Sequence, residues 1–196
     1  RYQGIDSLKY DVVMCGNCGY AAVKRFFNQP LVAVQIHNVK EKIVANYNKT
    51  TELDIAYDYD EAIRRHKLAL ISAITKNAEV SEKAYTVLKM GWIYRGYADT
   101  LDPEQNEKRD ALKKEEMTCL RNAFQGFQQA YTEEDFPICG MDQGTFFYLI
   151  AYLGYMCEEY QKSSYWLGRA LTDRSTSDRV KNRAWDLKEL LKDVLI

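Results

Sequence analysis

Along most of this chain apolar residues recur every three or four positions, the spacing that gives one side of an α-helix a continuous apolar stripe. That pattern predicts helices over about 32–47, 57–77, 80–98, 105–131, 143–158, 160–173 and 177–194. The start of the chain differs. Leu8 to Met14 alternates and is β-prone, which predicts a strand. Cys15-Gly16-Asn17-Cys18-Gly19-Tyr20 follows, then a short helix from Ala21 to Phe27 that stops before Asn28-Gln29-Pro30. Asp102-Pro103 signals a helix start, and Phe136-Pro137 with Gly140 marks a turn. Asp142 and the run Ser175 to Asp178 offer capping side chains to the helices after them. No proline-rich or glycine-serine linker interrupts the chain. One compact body is expected, with a small module over 1–30 and a helical domain over 31–196.

Within the helical region a single spacing repeats: a small residue, a bulky one four positions on, then alanine three further. It occurs as Ala62-His66-Ala69, Ala123-Phe127-Ala130 and Ser163-Leu167-Ala170. Two segments read as partner helices, Met90-Gly91-x-x-Tyr94 and Ile150-Ala151-x-x-Gly154. Small residues let two helix backbones approach and the bulky one fills the gap beside them, as in a tetratricopeptide-type hairpin. The expected fold is all-α, a tetratricopeptide-like helical-hairpin superhelix with a small amino-terminal β/zinc-knuckle-like module; another helical bundle is the alternative. The hairpins are 32–47 with 57–77, 80–98 with 105–131 and 143–158 with 160–173. The last helix, with Trp185, Leu187, Leu190 and Leu191, would seal an open end. The charged stretch Glu104 to Glu116 is expected to lengthen a helix across solvent.

Charge adds an asymmetry. The net charge is −1, which argues against a general polyanion binder, yet residues 1–50 carry +4 and residues 101–150 carry −5. No run approaches the roughly 18 apolar residues of a membrane span, so a soluble, cytoplasmic protein is expected. Five cysteines without a framework spacing also suit a reducing compartment. Fifteen tyrosines suit semi-exposed grooves as well as cores.

Cys15-x-x-Cys18-Gly19 after a strand is half of a zinc knuckle, because the turn points both sulfurs inward. A structural zinc takes four ligands, and no second pair is present. A redox pair is the rival reading. The sequence resembles the bacterial family called domain of unknown function 2225. The resemblance rests on Tyr10-Asp11-Val12-Val13-Met14-Cys15-x-x-Cys18-Gly19-Tyr20-Ala21, on Tyr57 with Asp60-Glu61-Ala62, and on Trp92-x-Tyr94-Arg95. It rests further on Glu134-Asp135-Phe136-Pro137-Ile138-x-Gly140-Met141-Asp142. It implies a zinc-type amino terminus followed by tetratricopeptide-like helices, with Cys15 and Cys18 as zinc ligands. It also implies a first Cys-Pro-x-Cys pair upstream. This chain begins after that point with arginine, so either its natural start lies upstream or this member departs from the pattern. The resemblance implies no activity.

If Gly91 and Ala151 are packing positions, the flanking residues face a concave groove. On one helix these are Tyr85, Leu88, Trp92 and Arg95; on another, Tyr148, Tyr152 and Tyr155. Such a stripe suits an extended peptide or an apolar helix, unless the carboxy-terminal cap or a neighbouring subunit covers it. The expected function is a non-enzymatic protein–protein interaction scaffold for an unidentified protein or peptide. The alternative is nucleic-acid binding through the basic amino-terminal knuckle with Phe26 and Phe27. Catalysis is not expected: only two histidines exist, His66 at a packing position and His37 on a polar face.

Overall fold

The computed structural model describes residues 6–49, 56–102 and 104–195. Among these are one two-stranded antiparallel sheet and eight α-helices. The strands are β1 (Val12–Met14) and β2 (Ala21–Val23). The helices are α1 (Lys24–Phe27), α2 (Ala33–Lys42), α3 (Tyr59–Thr75), α4 (Val80–Thr100), α5 (Asn106–Glu133), α6 (Gln143–Met156), α7 (Tyr160–Thr172) and α8 (Asp178–Lys192). The chain divides into two compact units, 1–119 and 120–196, the division falling inside α5.

In the first unit β1 and β2 pair with Val12 opposite Val23 and Met14 opposite Ala21. Ala21 to Val23, expected as the first turn of a helix, is instead a strand, and only Lys24–Phe27 is helical. Pairing with β1 and packing on α3 override the helix preference of alanine. All three residues of β2 are buried, and the Ala21 amide donates to Ser72 Oγ of α3 at 3.2 Å. The strands of the expected 1–30 module thus pack on a helix of the same unit.

α3 begins at Asp58, whose carboxylate accepts from the Glu61 amide at 2.9 Å. It ends where Asn77 takes φ +50° and the Ala78 amide reaches back to the Ala73 carbonyl at 2.9 Å. α4 returns against α3, and Ala62 and Ile93 share a cluster with Tyr57. The first half of α5 joins α4 through Leu112 and Cys119, which are buried with Met90, Tyr94 and Ala98. The stretch Glu104 to Glu116, expected to lengthen a helix across solvent, does lengthen α5 and is largely exposed; Leu112 in that cluster and the buried Glu116, paired with Arg95, anchor it.

In the second unit α6 starts at the expected cap. Asp142 accepts from the Thr145 amide at 2.8 Å and its hydroxyl at 3.0 Å. α6 and α7 form a tight hairpin in which Glu158 takes φ +63° and the Glu159 amide bonds the Gly154 carbonyl. α8 packs on both helices through Ala184, Leu187 and Leu191. Its N-cap is Ser177, but that side chain makes no capping hydrogen bond; Asp173 instead accepts from the Ser175 amide and hydroxyl, each at 2.7 Å.

Between α5 and α6 the Phe136–Pro137 bond is cis, and Gly140 takes φ +66°. Phe136 lies 5.4 Å from Phe146 and Ile138 is buried, so this loop packs into the unit. Tyr131, Phe147 and Trp166 complete an aromatic cluster faced by the Arg169 guanidinium, 4.8 Å from the Tyr131 ring and 4.5 Å from that of Phe147. Much of the tyrosine content is packing of this kind. In the first unit Tyr10 lies 4.6 Å from Tyr57, and Tyr59 stacks on Tyr97 at 5.2 Å.

All nine residues of the repeated triplets are buried, none more than 3 % exposed. At the third triplet the reason is visible. A Cβ on Gly154 would sit 3.2 Å from the Ser163 backbone, and Ser163 Oγ donates to the Ala151 carbonyl at 2.6 Å. Glycine and serine are there because the two helices touch.

Candidate functional site

The predicted stripe has one half on α4, in the first unit, and the other on α6, in the second. On α4 the chain itself supplies partners. Phe26 packs edge-on against the half-buried Tyr85 at 5.9 Å, and the Arg25 guanidinium lies 4.7 Å from the same ring. Lys89 reaches between Tyr85 and Trp92, 5.4 and 4.7 Å from their rings, while its ammonium pairs with Asp11 at 2.7 Å. Arg95 pairs with Glu116. Leu88, expected to line the groove, is fully buried and belongs to the core. Within the first unit the neighbours of Tyr85 are therefore Arg25 and Phe26 of α1, and the neighbour of Trp92 is Lys89, itself held by Asp11.

On α6 the three tyrosines remain half-exposed along one side. Tyr148 and Tyr152 lie 6.4 Å apart, and Tyr155 lies 6.0 Å from Tyr160 of α7. Burial pushes the Tyr148 phenol up from its usual range; Arg183 of α8 opposes this and Asp186 adds to it. α8 therefore adjoins Tyr148, and Tyr155 lies near the α6–α7 turn.

The cysteine pair occupies the β1–β2 connection. The Cys15 amide donates to the Tyr20 carbonyl at 2.8 Å, and the Gly19 amide donates to the Cys15 carbonyl at 2.9 Å. Gly19 has φ +75°, and a Cβ there would run into the Tyr47 ring, so this turn requires glycine. The thiols interact and diverge. A backbone N–H bond from Asn17 and the Cys18 thiol hold Cys15 below the usual thiol range, while burial pushes Cys18 up. Amides aimed at a sulfur favour the thiolate that a metal or an electrophile requires. Two sulfurs supply half of a tetrahedral zinc site. Among the described residues no third His, Cys, Asp or Glu joins them in a cluster.

His66 is fully buried; its Nδ1 lies 2.7 Å from the Ala62 carbonyl, and burial lowers its pKa. His37 is exposed on α2. Cys119 and Cys157 are buried, which pushes each thiol up to about 11. Among the described residues no helix is long and apolar enough to cross a membrane. Sequence reasoning missed an open apolar groove between α7 and α8, whose walls include Leu171 and Leu191. Gly168, in the middle of a helical pattern, was the only local hint of it.

The family model described as an uncharacterized protein conserved in bacteria (DUF2225) matches residues 1–191, and the chain belongs to that family. No curated protein and no solved structure matches it.

Proposed function

We propose that this member of the DUF2225 family is a non-enzymatic, cytosolic scaffold for protein–protein interaction. In this reading its hairpins stack in the tetratricopeptide manner, and its open contact surface centres on Tyr152 and Tyr155. The observation that carries it is the α6–α7 hairpin. Gly154 and Ser163 bring two helix backbones together on one side of α6, while three tyrosines stay half-exposed along the helix. Tyrosine gives large contact area for few rotatable bonds, which suits a recurring peptide or helix contact. The partly covered α4 half supports the same chemistry, since what lies over Tyr85 is an aromatic ring and a guanidinium. The test is a photo-crosslinking amino acid placed at 152 or 155 in the native host. One partner caught at both sites and lost on Tyr152→Ala supports the reading; no site-dependent adduct ends it.

In the same reading Cys15 and Cys18 are two of the four ligands of a structural zinc. The contact between the two thiols and the Asn17 N–H bond to Cys15 support this. Binding of nucleic acid through the amino-terminal region has one supporting observation: Lys24, Arg25, Lys40 and Lys42 are exposed. Phe26 is buried and not free to stack on a base. A titration at low salt that gives a flat signal would dismiss this second reading.

A further inference from the structure

α7 and α8 leave between them a half-open apolar groove of about 430 Å³. One wall is Leu167, Gly168 and Leu171, the other Leu191 and Leu195 with Lys188. The lining runs from Ser164 to Leu171 along α7, about two turns or roughly 10 Å of helix, and from Lys188 to Lys192 on α8 with Leu195 just beyond its end. A furrow of that shape takes the side chains of another helix at i, i+3 or i+4, and i+7.

Gly168 is the informative residue. Glycine inside a helix is a destabilising choice unless something needs its small size. Gly154 and Gly144 have such reasons inside this chain, because a Cβ on either would meet Ser163 or Thr176. A Cβ on Gly168 would meet nothing within 4 Å. The fold does not use the gap that this glycine leaves on the exposed side of α7, at the edge of an apolar groove.

Charge identifies the occupant. The groove is lined by Lys188 and Lys192 and by no carboxylate. Lys192 pairs with Glu189 at 2.7 Å. Among the described residues no carboxylate pairs with Lys188; its ammonium lies 4.6 Å from the ring of the exposed Trp185. We propose that the α7–α8 groove is a docking site for an amphipathic helix of another protein, its apolar side seated over Gly168 and its acidic flank facing Lys188. This names a partner class for the scaffold reading but uses none of the α6 tyrosines, so the two sites can fail separately.

The probe is a fluorescein-labelled synthetic helix with leucines and alanines on one side and glutamates beside them. It is titrated against the full chain by anisotropy, with a lysine-for-glutamate peptide as control. The glutamate helix is expected to bind and the lysine helix not to. Gly168→Leu and Lys188→Glu are each expected to weaken binding by about tenfold or more. Gly168→Leu should leave the circular dichroism melt no lower, because leucine favours helix and the space is open. Tyr152→Ala should leave this titration unchanged, whatever it does to crosslinking at α6. Equal binding of the two peptides, no binding of either, or indifference to Gly168→Leu would overturn the proposal. So would self-association of the chain that Gly168→Leu abolishes, since the occupant would then be a second copy.

Discussion

Ser163 Oγ donates a 2.6 Å hydrogen bond to the carbonyl of Ala151, twelve residues earlier and on the facing helix. Both residues are fully buried, and Gly154 lies against the serine backbone one turn on. The bond and the close approach share one small side chain, so size and polarity can be separated by mutation. Ser163→Ala keeps the size and loses the bond, which should cost about 1 kcal/mol. Ser163→Leu forces the helices apart and should cost about 3 kcal/mol. Urea denaturation of the two variants measures the difference; equal losses would mean that the contact is not tight.

His66 should make the protein sensitive to mild acid. Burial lowers its folded-state pKa; Asp11 opposes this and Lys89 reinforces it, while Nε2 has no hydrogen-bond partner among the described residues. An unfolded histidine takes up a proton near pH 6.5, and the folded one does so only at lower pH. Its contribution is therefore complete above that value. It falls by up to about 1.4 kcal/mol per pH unit as pH drops toward the folded pKa. Unfolding free energies of wild type and His66→Leu, compared from about pH 7.5 to 5.5, should show a shallower slope for the variant.

Lys76 and Glu82 form a buried ion pair at 2.8 Å, and Lys76 also donates to the Tyr20 hydroxyl at 3.2 Å. Lys76→Met alone should cost about 3–5 kcal/mol, because it strands a buried carboxylate. Lys76→Met combined with Glu82→Leu should recover most of that loss. A double variant as unstable as the single one would refute this account.

None of the five cysteines is in a disulfide, and their reactivity should be graded. Cys15, with its pKa lowered, should alkylate first at neutral pH; Cys119 and Cys157, raised to about 11 by burial, should alkylate last. Iodoacetamide labelling followed by peptide mass mapping gives the order. Protection of Cys15 and Cys18 together by added zinc would support the proposed ligand pair; alkylation of both unchanged by zinc would count against it.

The packing side of the chain was legible because it depends on side-chain size at fixed spacing. Ala123, Phe127 and Ala130, picked out by their spacing, are buried, and Asp142, expected as a cap, accepts from an amide three residues on. What was not legible depends on distant partners. Ala21 to Val23 reads as helix until β1 is beside it, and nothing near Tyr85 in sequence announces that Arg25 and Phe26 will lie against it. Leu88 fails for a related reason. A residue beside a packing position faces a groove only if no other element closes over it, and Leu88 is sealed.

Arg25 and Phe26 on Tyr85 have a kinetic and thermodynamic consequence. They are a tethered rival for any outside ligand of that ring, present at an effective concentration on the order of millimolar or more. An aromatic or cationic side chain arriving from solution must displace them, so its apparent affinity is discounted by the strength of the internal contact. Weakening that contact, as Phe26→Ala would, should make α4 more receptive while leaving α6 as it was.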